Sequence, residues 1–352
     1  MKGLLALLLV AGCLDVAEER AQREEAIGHA SVGGLEVTVD DGLASVLSLD
    51  RSSLRLRASA PVLTVHLKGG AAAPFLLTVD NALPDAMLAG APDAVAMPGE
   101  VPTQHRWMFT PSGETTLTVA PPDAAVPGPF RFAVLADVQE AIGRVQDVYG
   151  RIAAEPEIRF VVFNGDLTQW GNTEELERFQ REQRSLPVPL FATLGNHELG
   201  DSPPAFHTLF GRGSFRYVFR GVQFTMLDSA SATIAPLTYR RLEGWLAEGR
   251  DRLHVVGMHI PPIDPVGTRN GAFASRAEAG RLLAMLAGGG VDLTLYGHIH
   301  SYYSFWNAGI PAYISGGGGA IPERFDGIGR HFLVVEADGV EKEVKVRVVR
   351  VD

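Results

Sequence analysis

The 352-residue chain has a single cysteine, Cys13. That excludes an intrachain disulfide and any cysteine-based zinc cluster, so a metal would have to be held by histidine, carboxylate and amide groups. Long apolar runs are also missing. The most apolar stretch, Leu4–Val10, falls well short of the ~20 residues a membrane-spanning helix needs. No dense Lys/Arg run occurs either: 31 Lys and Arg stand against 41 Asp and Glu, a net charge of −10. Such a surface repels phosphate backbones, which excludes a nucleic-acid scaffold. The chain is 46% hydrophobic and 20% charged, so it is not a disordered polyelectrolyte. Its length predicts about two domains.

Lys2, the apolar run Leu4–Val10 and the small residues Ala11 and Gly12 read as a secretory signal peptide over residues 1–12. Val10-Ala11-Gly12-Cys13 resembles the lipobox of bacterial lipoproteins. The resemblance implies cleavage before Cys13, lipidation of that cysteine, export to the bacterial cell envelope and attachment to a membrane surface. Glu18–Glu25 is charged and offers no core residues, so residues 13–30 are expected to form a tether.

Residues 31–120 alternate in short period-two runs: Leu35–Val39, Ser45–Leu49, Leu54–Ala58, Val62–Leu67, Phe75–Val79, Gln104–Phe109 and Thr116–Val119. Gly, Asp and Pro punctuate them, which predicts an antiparallel, immunoglobulin-like sandwich of about seven strands. His66 and His105 are isolated there and read as strand-face residues. Residues 121–129 form a Pro-rich linker in this reading, extended because proline fixes φ and lacks a donor.

From residue 130 to residue 352 the texture is α/β. Nearly continuous apolar runs (Phe130–Ala136, Ile158–Phe163, Leu190–Leu194, Val222–Leu227, Leu253–Met258, Leu293–Tyr296) read as buried strands. Helical patterns lie between several of them, at Ala141–Ala154, Glu174–Ser185, Thr238–Glu248 and Arg276–Ala287, with Thr173 and Thr238 as predicted N-caps. The tail, Phe332–Glu336 and Val344–Val351, is expected to return to strand and extend a second sheet. Gly316–Gly319 reads as a flexible turn.

The chemistry sits where the runs stop. In α/β sheets, ligands bind beyond the carboxyl ends of the strands. Five runs end in turn on Asp137-Val138-Gln139, Asn164-Gly165-Asp166, Gly195-Asn196-His197-Glu198, His259, and Gly297-His298-Ile299-His300. Any one of these except His298-x-His300 is a common turn or core histidine, and the ordered set is a metal-binding pattern. Gly165, Gly195 and Gly297 permit tight turns that aim side chains at a common centre.

This ordered set resembles the calcineurin-like metallophosphoesterases, whose signature is D-x-H, GD, GNH, H and GHxH. The resemblance covers about residues 130–320. It implies a two-sheet α/β/β/α sandwich and a dimetal hydrolase of phosphate esters, a phosphoesterase or phosphodiesterase using a metal-bridging hydroxide. Carried over by position, Asp137, Gln139, Asp166 and His300 would hold one cation, and Asn196, His259 and His298 the other. Asp166 would bridge, and His197 would act on the substrate as the catalytic residue. Where the family usually has histidine this chain has Gln139, whose amide oxygen is a harder, uncharged donor. That points to manganese, with iron, zinc or magnesium as the alternatives. Leu167-Thr168-Gln169 lacks the tyrosine expected of a purple acid phosphatase.

The expected partners are a phosphate-ester small molecule or headgroup and, through Cys13, a membrane. The alternative is a non-catalytic envelope binding lipoprotein on the same scaffold. Glu140 and Glu198 flank motif positions and read as exposed loop carboxylates, with hydrogen-bond acceptors behind the ligands as the alternative; Asp228 reads as structural and His254 as core. The insertion Pro203–Arg216, with His207 and Arg212, is a candidate substrate-facing lid.

Overall fold

A computed structural model describes residues 16–200, 203–267, 271–323 and 328–351. The expected signal peptide (1–12) and the lipidation site Cys13 lie outside the described residues. No helix among the described residues is long and apolar enough to cross a membrane.

The front half is a sandwich of two five-stranded sheets. One holds, in spatial order, β1 (His29–Val32), β2 (Leu35–Val39), β5 (Leu63–Gly69), β10 (Glu114–Ala120) and β7 (Met87–Ala89). The other holds β3 (Ala44–Leu49), β4 (Ser53–Ala58), β6 (Phe75–Asp80), β9 (His105–Phe109) and β8 (Val95–Met97). All seven predicted strands are present. β1, β7 and β8 are additional, and their exposed or half-buried residues lack the apolar alternation that marks the others. β4 and β6 pair in parallel, so the sandwich is not wholly antiparallel. Its core interleaves Leu35, Val37, Leu56, Val65, Phe75, Leu77, Trp107 and Leu117.

Two further sheets make up the back half. The first runs β13 (Leu190–Thr193), β12 (Ile158–Asn164), β11 (Pro129–Leu135), β20 (His331–Asp338), β21 (Glu343–Arg350). The second runs β14 (Phe215–Phe219), β15 (Val222–Leu227), β16 (Leu253–Met258), β17 (Leu293–Tyr296), β19 (Ile310–Ser315), β18 (Tyr302–Asn307). The tail strands therefore join the first sheet, β20 lying antiparallel to β11, rather than a second one. Aromatic rings fill the space between the sheets: Phe132 stacks on Phe160 at 5.7 Å, and Phe224 meets Phe132 edge-on at 5.1 Å. Helices Gln146–Ala153 and Thr173–Gln183 cover the outer face of the first sheet through Val148, Ile152, Leu176 and Phe179. Helices Pro236–Gly249 and Arg276–Gly288 cover the second through Leu242, Leu246, Leu282 and Leu286. The result is the expected four-layer α/β/β/α arrangement.

Two helix starts differ from the prediction. Asn172, not Thr173, caps the helix Thr173–Gln183, its side chain accepting the Glu175 N–H at 2.9 Å. Pro236 opens the other helix, where its fixed φ suits the first turn, and Thr238 lies inside it.

The predicted tether is overturned for residues 16–26. Residues 16–23 are helical and dock on the back half, with Ala17 and Ala21 packed against Ala235. Arg20, only 1% exposed, donates from Nε (2.8 Å) and Nη2 (3.1 Å) to the two carboxylate oxygens of Asp228. Glu24 is fully buried and accepts the backbone N–H groups of Gly213 and Ser214 at 2.7 and 2.9 Å, and it pairs with Arg241. Of the charges that suggested a solvated tether, Glu18, Arg20, Glu24 and Glu25 thus meet partners far along the chain, while the exposed Glu19 and Arg23 pair with each other.

Residues 121–129 do not form an extended spacer either. A turn there places Asp123 between Arg159 and Arg220, at 3.0 and 2.8 Å. The insertion Pro203–Arg216 faces the sandwich, not the site. The Ser59 and Ser45 hydroxyls donate to the carbonyls of Phe210 and His207, and Phe206 and Phe210 are buried. The lid reading fails because the apolar face of this short helix is already covered.

Candidate metal centre

β11, β12 and β13 run parallel to one another, as do β15, β16 and β17, so their carboxyl ends face one rim of the double sheet. Asp137, Asp166, Asn196 and His197 follow the first three strands, and His259, His298 and His300 follow β16 and β17. Glycine lets the two rims meet. Gly165 has φ +85°, and a Cβ there would lie 2.7 Å from the Gly195 backbone and 2.8 Å from His259 Nδ1. A Cβ on Gly195 would fall 2.1 Å from Asp166 Oδ1. Gly316–Gly319 is not a flexible turn. Gly318 donates its N–H to the Ala136 carbonyl at 2.9 Å, and a Cβ on Gly317 would strike the His331 ring.

Two groups of buried or half-buried side chains could each hold a cation: Asp166, His259 and His298, and Asp137, Asp166 and His300. Within each group the donor atoms lie within 4.8 Å of one another. Asp166 belongs to both. His259 Nε2 is 3.3 Å from Asp166 Oδ2 and 3.0 Å from Asn196 Oδ1. The Gln139 amide nitrogen lies 2.8 Å from Asp166 Oδ2 and 3.1 Å from His300 Nε2. Rotating that amide by half a turn puts its oxygen, the metal-binding atom, in the same place. His298 packs edge-on against His259, and its backbone N–H donates to Asp137. The seven residues predicted as ligands, Asp137, Gln139, Asp166, Asn196, His259, His298 and His300, are therefore brought together here, and Cys13 lies outside the described residues. His197 stands at the edge of the cluster, its ring Nε2 3.9 Å from Asp166 Oδ2 and its side chain 27% exposed.

The ring tautomers fit cation binding. The Nδ1 atoms of His259, His300 and His197 each face a backbone carbonyl, of Asn164 (2.7 Å), Ile321 (2.8 Å) and Gln169 (2.7 Å). A carbonyl only accepts, so Nδ1 carries the proton and Nε2 is the atom turned toward the centre. Burial alone would raise the Asp166 carboxyl, but His259 and His197 outweigh it and hold Asp166 below the usual carboxylate range. Burial opposes a charge on His259, yet the Asp166 carboxylate lifts its pKa to about 9. Two buried carboxylates surrounded by imidazole and amide donors make a pocket that attracts positive charge. This donor set fits a pair of divalent cations.

The backbone is held in unusual conformations here. Asp137, Gln139, Asp166 and His298 all have positive φ, at 60°, 47°, 57° and 70°.

Glu198 is the residue the sequence reading misplaced. It is fully buried, and its carboxylate accepts the N–H groups of Asp166 (2.9 Å), Thr168 (3.0 Å) and Gly195 (2.8 Å) and the Thr168 hydroxyl (3.0 Å). Burial, then the nearby Asp166 charge, pushes its pKa up to about 7. One side chain thus ties the loop after β12 to the loop after β13. Its position directly after the GNH motif was the available signal. Glu198→Ala is expected to weaken Mn²⁺ affinity by roughly 10- to 100-fold without removing a donor. Competition against a fluorescent chelator measures that, and affinity equal to wild type would show that the tie does not position the site.

Residues 130–302 match the calcineurin-like phosphoesterase family, and this part of the chain is a calcineurin-like phosphoesterase domain. Among solved structures the chain is similar to purple acid phosphatase PPD1 from seeds of yellow lupin (Lupinus luteus), with 13% identity and a TM-score of 0.56. That similarity covers 83% of this chain and 70% of the lupin chain. The chain is also similar to a dimetal phosphatase from Danio rerio, with 14% identity, a TM-score of 0.49, and coverage of 65% and 100%. No curated protein matches the chain. At 13% identity, what the lupin structure shares with this chain is the fold. At the position after the GD motif this chain has Leu167, Thr168 and Gln169.

Proposed function

We propose that the protein is a dimetal hydrolase of phosphate esters, exported to the bacterial cell envelope and attached to a membrane surface, periplasmic or external, by a lipid on Cys13. The observation that carries the catalytic reading is the sharing of Asp166 between two candidate cation groups. When bound, a pair of divalent cations neutralises phosphoryl charge and supplies an activated water. Asp137, Gln139, Asp166 and His300 would hold one, and Asn196, His259 and His298 the other. Gln139 in place of a histidine supports manganese as the metal.

The chain's own residues account for the rest. The Gln169 carbonyl fixes the His197 ring through Nδ1 and presents Nε2 to the half-exposed edge of the site. With the ring protonated on both nitrogens, that atom is placed to donate a proton or hydrogen bond to the leaving oxygen of a bound ester. His197→Ala is expected to lower kcat by about 10²–10⁴-fold on alkyl esters. The loss should be smaller on nitrophenyl esters, whose leaving group needs no proton. Equal loss on both would show that His197 serves binding instead.

The deciding experiment follows metal uptake and hydrolysis of bis(p-nitrophenyl) phosphate by metal-stripped protein titrated with Mn²⁺. The expected result is two equivalents bound and activity that appears with them. Stoichiometric uptake without hydrolysis would favour a binding protein, and no uptake would end the reading.

A further inference from the structure

A second polar cavity lies away from the strand-end cluster, between the sandwich and the helix Thr173–Gln183. It measures about 370 Å³. Its walls carry Arg55 and Arg57 from β4 and Arg181 and Arg184 from the helix end, against two acids, Asp80 and Glu177. In a chain with a net charge of −10 this is a local excess of positive charge. Asp80 is engaged by Arg55 at 2.6 Å and by the Gln104 amide at 2.7 Å, and Arg184 pairs with the exposed Glu100 on the rim.

Arg57 is the unusual member. It is 6% exposed, and among the described residues no carboxylate lies in ion-pair range of it. One guanidinium nitrogen donates to Gln183 Oε1 at 2.7 Å, and the plane lies 4.6 Å from the centre of the Phe210 ring. Gln183 is itself fixed by donating to Asn81, which bridges the Ala58 and Leu190 carbonyls. A buried charge is costly unless an opposite charge or a full set of hydrogen bonds compensates it. Burial depresses the guanidinium pKa to about 10. The network thus positions a donor fork at the cavity wall; Asp80 acts on its charge through space but is itself engaged by Arg55, and no carboxylate among the described residues pairs with the fork directly.

We infer that this interdomain cavity is a binding site for a small oxyanion-bearing molecule, such as a phosphate or sulfate group, held by Arg57 with Arg181 and Arg184. A guanidinium fork matches two oxygens of such an anion, and charge-assisted bonds of this kind are the strong ones. Because Arg57 belongs to the sandwich and Arg181 and Arg184 to the phosphoesterase domain, a bound anion would clamp the two together. None of these residues belongs to the strand-end cluster, so the site stands or falls apart from the catalytic reading.

The test is calorimetric titration of the full chain with sodium sulfate at constant ionic strength set by chloride. One saturable site per chain is expected in wild type and in Asp166→Asn. Binding should weaken by about ten-fold or more in Arg181→Ala/Arg184→Ala, whose residues are exposed, with hydrolysis of bis(p-nitrophenyl) phosphate unchanged. Arg57→Met should abolish it. Equal isotherms in wild type and the double variant, no saturable binding in wild type, or loss confined to Asp166→Asn would each overturn the inference.

Discussion

Asp166→Asn is expected to reduce hydrolysis of bis(p-nitrophenyl) phosphate by on the order of 10³-fold, with the fold intact. The substitution keeps the shape and one oxygen able to accept the His197 N–H, which Asp166 Oδ1 receives at 2.9 Å. It removes the charge common to both donor groups and puts an amide against the Gln139 amide 2.8 Å away. Charge stabilisation at a metal site supplies several kcal/mol, and each 1.36 kcal/mol is a factor of ten in rate. Steady-state kcat at saturating Mn²⁺, read beside circular dichroism and metal content, checks this. A variant that keeps its rate would remove Asp166 from the centre of the chemistry, whatever the fold.

The second large effect concerns stability. Arg20→Ala is expected to cost about 3–5 kcal/mol, because it strands the buried Asp228 carboxylate without its bidentate partner. For a chain of this size that lowers Tm by roughly 10 °C. Arg20→Met combined with Asp228→Asn should recover much of the loss, since replacing both members of a buried pair leaves no lone charge. Thermal unfolding followed by circular dichroism separates the outcomes. A Tm within about 1 °C of wild type in Arg20→Ala would mean that the N-terminal helix does not hold to the body in solution.

The two predictions mark where the sequence speaks and where it is silent. The site was legible because a parallel sheet converts strand ends into neighbours. Asp137, Asp166, Asn196, His259, His298 and His300 needed only strand boundaries and their order to be brought together. Glu198 was not legible, because an acid beside a histidine in a loop looks the same whether it meets water or three backbone N–H groups. Arg20 was hidden for a related reason: its partner Asp228 is 208 positions away, and no local pattern links them. The sandwich strands with alternating apolar residues were found, while β1, β7 and β8, whose residues stay partly exposed, were not. Local periodicity reports burial, and pairings across the fold leave no periodic trace.

The positive φ angles at Asp137, Gln139, Asp166 and His298 have an evolutionary corollary. Each such residue costs on the order of 1 kcal/mol that glycine would not incur. A library selected for heat tolerance alone would therefore drift toward glycine or asparagine at these positions and shed the donors on the way. Selection for turnover must oppose that drift at every one of them.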